Sequence, residues 1–202
     1  MKRGDERRRF FDALADTWDL KVPVEEIHSA LGEMLLPWKD LFAGAAVLDA
    51  GCGTGQLAAW LALLPHPPRL LAALDLSPAM MERFTARVPT AAPILARVPD
   101  FPFKESSFDF VLAMGLFPHL EDKEGFLDRC RGILAPGGWI LVFHCGPRER
   151  INRTHRKAGP PVEKDILPRA PKVVELLLEK GFLPGPWRDD GLGWLVSGKK
   201  KS

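Results

Sequence analysis

The spacing of hydrophobic positions along the chain changes at about residue 45. Before that point, apolar side chains such as Phe10, Leu14 and Leu31 recur at helical spacing over residues 6–18 and 25–38. After it, short apolar runs alternate with amphipathic stretches, a pattern typical of a parallel sheet with crossover helices. The sequence therefore predicts two N-terminal helices followed by an α/β unit.

The α/β unit is expected to contain five strands, with helices between them. The strands are predicted at residues 46–49, 70–75, 93–96, 108–114 and 139–144, and the helices at 56–64, 78–88 and 123–134. A helix at 171–180 and two short runs at 182–187 and 193–197 follow, and these runs predict a closing antiparallel hairpin.

We interpret residues 1–202 as one domain, because no linker or internal repeat interrupts the pattern. Residues 1–40 would form a helical cap and 45–143 the α/β core. Residues 144–168, which are polar and broken by prolines, predict an insertion without clear secondary structure. Residues 169–202 would supply the closing helix and hairpin.

Composition narrows the class of protein further. The 28 Lys and Arg residues nearly balance the 26 Asp and Glu residues, so a nucleic-acid partner is not expected. Three cysteines form no paired motif, which argues against disulfides and a cysteine zinc site. The start of the chain is charged and no apolar run is long enough to span a membrane, so the sequence predicts a soluble, cytoplasmic protein.

A glycine-rich turn follows the first predicted strand. Residues 47–56 give a buried strand, the glycines Gly51, Gly53 and Gly55, and a helix start. A dinucleotide fingerprint would need glycine where Gln56 stands. The carboxylate of Asp49 would also repel a pyrophosphate, whereas it suits a cationic ammonium or sulfonium group. A dinucleotide-binding Rossmann enzyme remains the less favoured alternative.

A second acid, Asp75, ends the next predicted strand. Acids at this strand end accept hydrogen bonds from ribose hydroxyl groups. Ser77 and Pro78 then provide a cap and a first-turn proline for the following helix. Together with the glycine turn, Asp75 predicts a nucleoside-binding site at the carboxyl ends of the first two strands.

Several segments resemble, in order and spacing, the motifs of class I S-adenosylmethionine-dependent methyltransferases. The similarity covers residues 10–143 and is greatest to the ubiquinone and menaquinone biosynthesis branch. Residues 10–19 resemble the start of the proteins in that branch. The segments are 47–55, 74–77, 101–103 with 107–111, and 134–138.

This resemblance implies a Rossmann-like, doubly wound sheet of seven mostly parallel strands, with an antiparallel C-terminal hairpin strand and N-terminal helices. It also implies S-adenosylmethionine as the cofactor and S-adenosylhomocysteine as the product. Methyl transfer to a small-molecule acceptor by in-line displacement is the expected activity. A non-catalytic module that binds either compound is the alternative from another functional class.

The resemblance further implies which residues contact the cofactor. Relatives often carry an acid after the third strand, whereas this chain has Arg97, which leaves adenine recognition to the backbone or to Asp100. The implied cofactor residues are Trp18, Asp49, Gly51, Cys52, Gly53, Gly55, Gln56, Asp75, Leu76, Met80, Val98, Pro99, Met114 and Gly115.

Three histidines are candidates for the catalytic base. A sulfonium methyl group is already activated, so the protein must align the acceptor and, for hydroxyl or protonated nitrogen acceptors, remove a proton. His119, His144 and His155 lie on segments that could reach the acceptor. Residues 144–168 predict an acceptor wall, because they concentrate the polar side chains of His144, Arg148, Asn152, His155 and Asp165. The polar wall favours a small polar or heteroaromatic acceptor over a long isoprenoid quinone.

His144, His155 and Asp165 also have side chains that bind transition metals. Their spacing matches no metal motif, so no metal is expected. The sequence leaves open whether the acceptor atom is oxygen, nitrogen, carbon or sulfur, and it leaves the oligomeric state open.

Overall fold

The computed structural model describes residues 3–21, 23–98, 100 and 102–202. Its strands are β1 (Ala46–Ala50), β2 (Leu70–Asp75), β3 (Ala92–Leu95), β4 (Phe108–Met114), β5 (Leu134–His144), β6 (Phe182–Pro184), β7 (Arg188–Asp189) and β8 (Trp194–Lys200). Its α-helices are α1 (Arg3–Leu14), α2 (Val24–Met34), α3 (Gln56–Ala62), α4 (Pro78–Arg87), α5 (Lys123–Ile133), α6 (Arg148–Ala158) and α7 (Ala170–Glu179). Three 3₁₀-helices span Ala15–Lys21, Leu36–Phe42 and Phe117–His119.

The strands form one sheet in the order β3-β2-β1-β4-β5-β8-β6. Strands β1 to β5 pair in parallel, and β8 runs antiparallel between β5 and β6. These seven strands confirm the predicted doubly wound fold, and the two-residue β7, paired with β8, adds an eighth. The strand order reverses between β1 and β4, and ligands of open α/β sheets bind in the crevice at such a switch point.

Apolar cores lie on both faces of the sheet. Along β4, Val111 packs into a core with Phe126 of α5, whereas the next residue, Leu112, packs on the opposite face with Leu31 of α2. All five residues of β1 are buried, because helices cover the central strand on both faces. This double burial explains the continuous apolar runs in the sequence.

The expectation that residues 144–168 lack clear secondary structure is wrong, because α6 occupies Arg148–Ala158. The buried residues of this helix include Asn152 and His155, so its inward face shows no apolar period. The amide group of Asn152 makes two hydrogen bonds with the backbone of Leu167, at 2.8 and 3.1 Å. Some of the polar residues of α6, such as Asn152, thus have a structural role.

The N-terminal helices are shorter than predicted. Helix α1 ends at Leu14 and continues as the 3₁₀-helix Ala15–Lys21, and α2 ends at Met34 before a second 3₁₀-helix. The first of these 3₁₀-helices carries Trp18 and Asp19 onto the glycine turn, as described below. Within the described part of the chain, no helix has the length and apolar character needed to cross a bilayer.

Candidate active site

A cavity of about 430 Å³ lies beside the carboxyl ends of β1, β2 and β4, within the size range of small-molecule sites. Helix α1 and the 3₁₀-helix that follows it also contribute to its wall. The residues expected at the cofactor that line this cavity are Trp18, Gly51, Cys52, Gly53, Gln56, Asp75, Leu76, Met80, Val98, Met114 and Gly115.

Two other residues expected at the cofactor, Gly55 and Asp49, are not among those that line the cavity. Gly55 does not line the cavity; it has a φ of 90°, and a Cβ there would lie 2.8 Å from Cδ2 of Phe84. Glycine is therefore needed at position 55 for the geometry of the loop. Asp49 is fully buried at the end of β1, two residues before Gly51. Pro99 lies outside the described residues.

Asp49 is electrostatically uncompensated. Among the described residues, neither of its carboxylate oxygens has a hydrogen-bond partner. Burial, and to a lesser extent the charge of Asp75, raises the pKa of Asp49 to about 8. The Oε1 atom of Gln56, which is also buried, has no partner either. Buried acceptors without donors are costly, so this loop is suited to a ligand that brings a cationic donor.

The expected cofactor meets this requirement. S-adenosylmethionine carries an ammonium group, and the orphaned acceptors of Asp49 and Gln56 belong to the strand–loop–helix segment that lines the cavity. The positive φ values of Gly51 and Gly53 let the loop backbone approach a ligand without a side chain. The residues present therefore fit this cofactor.

Asp75 has a structural role that sequence reasoning missed. One carboxylate oxygen accepts from the backbone N–H of Gly53 at 2.9 Å, and the other accepts from that of Ser77, also at 2.9 Å. Burial raises the pKa of Asp75, although these backbone donors oppose the shift. Asp75 thus lines the cavity and also ties the glycine turn to the end of β2.

The N-terminal segment is fastened over the glycine turn by Asp19. Its carboxylate accepts hydrogen bonds from Thr54 Oγ1 at 2.7 Å, Gln56 Nε2 at 3.0 Å and Arg87 Nη2 at 2.7 Å. The neighbouring Trp18 lines the cavity. No sequence signal identified Asp19, because its partners lie 35 to 68 residues away.

Two further residues that line the cavity, Arg97 and Cys52, make contacts with residues distant in the sequence. Arg97 lines the cavity, and its guanidinium lies where a Cβ on Gly4 of α1 would clash, at 2.1 Å. The thiol of Cys52 lies 3.6 Å from Sδ of Met81, and burial raises the pKa of the thiol. A buried thiol with a raised pKa is a poor nucleophile, so Cys52 fills space in the loop.

The fold brings the three candidate histidines together. The ring centroids of His119 and His155 are 4.8 Å apart, and both His119 and His144 line the cavity. The Nδ1 atom of His119 lies 2.7 Å from Oδ2 of Asp165. Arg7 of α1 donates two hydrogen bonds to the same carboxylate, one of them 2.7 Å long.

The segment 144–168 does not form a wall as a whole, contrary to expectation. Only His144 and Cys145 from it line the cavity. His155 lies behind His119, with its Nδ1 atom 2.6 Å from the backbone oxygen of Asp165. Arg148 pairs instead with Asp189 at 3.3 Å.

The candidate metal ligands His144, His155 and Asp165 form no metal site in the structure. Within residues 3–21, 23–98, 100 and 102–202, no group of three or more His, Cys, Asp or Glu side chains is arranged to hold a metal ion.

The chain is similar in sequence to known methyltransferases. The family described as "Methyltransferase domain" matches residues 48–142. A ubiquinone biosynthesis O-methyltransferase from Xanthomonas euvesicatoria is 31% identical over 71% of this chain and 60% of its own length. A protein from Mycolicibacterium smegmatis, named as an S-adenosylmethionine-dependent methyltransferase, is 33% identical over 69% of this chain and 52% of its own length.

Structural similarity extends over almost the whole chain. Magnesium protoporphyrin IX methyltransferase from Synechocystis, solved with bound S-adenosylhomocysteine, superimposes with a TM-score of 0.74. The alignment covers 99% of this chain and 100% of that one at 13% identity, which supports the fold alone. The chain spans about half to three fifths of the length of the curated relatives it matches. Residues 48–142 thus match the methyltransferase domain family, and the chain is similar in sequence to S-adenosylmethionine-dependent methyltransferases and shares their fold.

Proposed function

We propose that this domain transfers the methyl group of S-adenosylmethionine to a small-molecule acceptor. The observation that carries the proposal is that one cavity connects the glycine turn above the unpaired carboxylate of Asp49 with the side chains of His119 and His144. Cofactor and acceptor groups can therefore meet in one cavity, as in-line transfer requires.

The residues around the cavity have separable roles in this proposal. Asp49 and Gln56 hold the amino group of the cofactor, and Asp75 accepts from its ribose hydroxyls while it fixes the turn. Leu76 and Met80 provide an apolar surface for the adenine ring. The bound cofactor supplies an electrophilic methyl group, whereas Trp18 and α1 limit the access of water.

The size of the cavity supports a small acceptor. A volume of about 430 Å³ must hold the cofactor together with the reacting part of the acceptor. The Xanthomonas relative is named for O-methylation in ubiquinone biosynthesis. An oxygen acceptor on a compact molecule is consistent with both observations.

Binding calorimetry and methyl-transfer assays test the proposal. We expect S-adenosylmethionine and S-adenosylhomocysteine to bind and NAD not to bind. Asp75→Ala should weaken binding by about 1.5–3 kcal/mol, the usual loss for hydrogen bonds with a charged partner. The matched control, Asp40→Ala, removes an exposed acid away from the cavity and should leave affinity unchanged.

Transfer is then measured with S-adenosylmethionine labelled on the methyl group and a cell extract as the source of acceptors. Label that moves to a small molecule supports the proposal. Cofactor binding without any transfer would identify a non-catalytic binding module instead, and binding of NAD alone would favour a dinucleotide enzyme.

A further inference from the structure

We propose that His119 is the general base of this methyltransferase, that Asp165 and Arg7 position it, and that the acceptor therefore carries a hydroxyl or N–H group. This inference rests on the proposed function and adds to it the class of acceptor and the identity of the base. It is carried by the geometry of three side chains from separate parts of the chain.

The hydrogen bond between His119 and Asp165 determines which ring nitrogen is available. A carboxylate only accepts hydrogen bonds, so the Nδ1 atom of His119, 2.7 Å from Asp165 Oδ2, carries the proton. The neutral ring then has its lone pair on Nε2. Among the described residues, none bonds to Nε2, and His119 lines the cavity. This arrangement of acid, imidazole and open Nε2 resembles the base of a catalytic triad.

Asp165 is held as a carboxylate. Its side chain is only 7% exposed, and burial alone would raise its pKa, but hydrogen bonds from Arg7 and His119 outweigh burial and leave the pKa well below its usual value. The two bonds from Arg7 also restrict rotation of the carboxylate. Because Arg7 lies on α1, the base is fully oriented only while α1 covers the cavity.

The other two histidines are less suited to proton transfer. His144 lines the cavity but is buried without an acid partner, and its pKa falls to about 3, chiefly through burial. Its imidazole would therefore be a weak base. The Nδ1 atom of His155 bonds to the backbone of Asp165, and His155 does not line the cavity. We infer that His155 supports the loop that carries Asp165.

The protonation state of His119 suits a base at neutral pH. The charged groups that face it are Asp165, Arg7 of α1 and His155 of α6, with His144 of β5 nearby and the ring of Phe11 packed at its edge. Burial lowers the pKa of His119, and Asp165 only partly opposes this. The ring is therefore neutral at pH 7, and the transfer rate should fall only below about pH 6.5.

The chemical step balances with this single base. The acceptor oxygen or nitrogen forms a bond to the methyl carbon, the bond from that carbon to sulfur breaks, and its electron pair goes to sulfur. Nε2 of His119 takes up the acceptor proton, and Asp165 stabilises the resulting imidazolium. Carboxylate and thioether acceptors have no proton to lose, so they would gain nothing from this base.

The first test observes the ring itself and does not need an acceptor. Side-chain ¹⁵N spectra of the protein with S-adenosylhomocysteine should show His119 as the Nδ1–H tautomer, with its signals assigned by their loss in His119→Gln. In Asp165→Asn this preference should weaken and the His119 pKa should fall further. An Nε2–H tautomer in the unmodified protein, or signals unchanged in Asp165→Asn, would overturn the proposed orientation.

The second test measures transfer of labelled methyl from S-adenosylmethionine to catechol, used as a hydroxyl probe, and to the acceptors in a cell extract. His119→Gln should lower the rate by about 10²- to 10⁴-fold with cofactor affinity unchanged. The control His66→Gln changes an exposed histidine outside the cavity and should keep the full rate. In Asp165→Asn, the fall of the residual transfer rate on acidification should occur at a lower pH than in the unmodified protein.

The outcomes separate this inference from the function on which it rests. Full transfer by His119→Gln, alongside transfer by the unmodified protein, overturns the base alone. An unmodified protein that binds the cofactor but methylates nothing refutes the proposed function, and the base with it, whatever the ring spectra show.

Discussion

Replacing Asp19 with alanine should loosen the N-terminal segment that covers the glycine turn. In the intact protein, the carboxylate joins the 3₁₀-helix Ala15–Lys21 to Thr54, Gln56 and Arg87. Asp16, one turn earlier on the same 3₁₀-helix, pairs with Arg83 at the surface. Asp16→Ala is therefore a matched control that removes an acid from the same segment.

The expected magnitudes follow from burial. Gln56 is only 3% exposed, so Asp19→Ala leaves a buried amide N–H₂ group without its acceptor, at a cost of about 1–3 kcal/mol. The ion pair with Arg87 is partly exposed and adds up to about 1 kcal/mol. We expect a total loss of about 2–3 kcal/mol. The side chain of Asp16 is 80% exposed, so Asp16→Ala should cost less than about 1 kcal/mol.

Urea unfolding gives the free energy for each variant, and hydrogen exchange reports opening of residues 15–21. Burial would raise the pKa of Asp19, but bonds from Arg87, Thr54 and Gln56 lower it overall. The stabilisation is therefore present above about pH 4 and is lost as pH falls through the lower folded-state pKa. The difference between Asp19→Ala and the unmodified protein should shrink accordingly. Equal losses in the two alanine variants would refute this account of the segment.

Two further predictions concern the glycine turn and its acid. Because the pKa of ligand-free Asp49 is about 8, binding of S-adenosylmethionine at pH 7 should release up to about one proton as the ammonium group pairs with the carboxylate. Calorimetry in buffers of different ionisation enthalpy measures this release, and a buffer-independent enthalpy would contradict it. Gly55→Ala should lower the free energy of unfolding, measured in urea, by about 1–3 kcal/mol or more, because the alanine would have a positive φ and its Cβ would clash with Phe84. Gly32 lies on α2 with open space around it, so Gly32→Ala should instead raise the free energy of unfolding by about 0.5–1 kcal/mol. A lower free energy of unfolding in this variant would show that helix propensity does not govern position 32.

The sequence by itself was sufficient for the framework of the fold and for the glycine turn with the acids at the ends of the first two strands. The bounds predicted for β2 and β4 are those observed, and the glycine turn follows β1 as expected. These features are local, because buried strands, glycine turns and strand-end acids each leave a short-range pattern. Asp75 was singled out in this way, although the hydrogen bond that it accepts from Gly53 was not predicted.

Tertiary structure alone decided how Arg7, His119 and Asp165 come together. Helix α6 escaped prediction because its inward face is polar, and hydrophobic periodicity detects only apolar faces. Asp165 meets His119 across 46 residues and Arg7 across 158 residues, a separation over which pattern carries no information about pairing. The positions of all three side chains follow from how α1, the turn after β4 and the loop after α6 pack around the same end of the sheet. Sequence could therefore name the histidines, but only the packing of these elements shows that His119 lines the cavity and has an acid bonded to its Nδ1 atom.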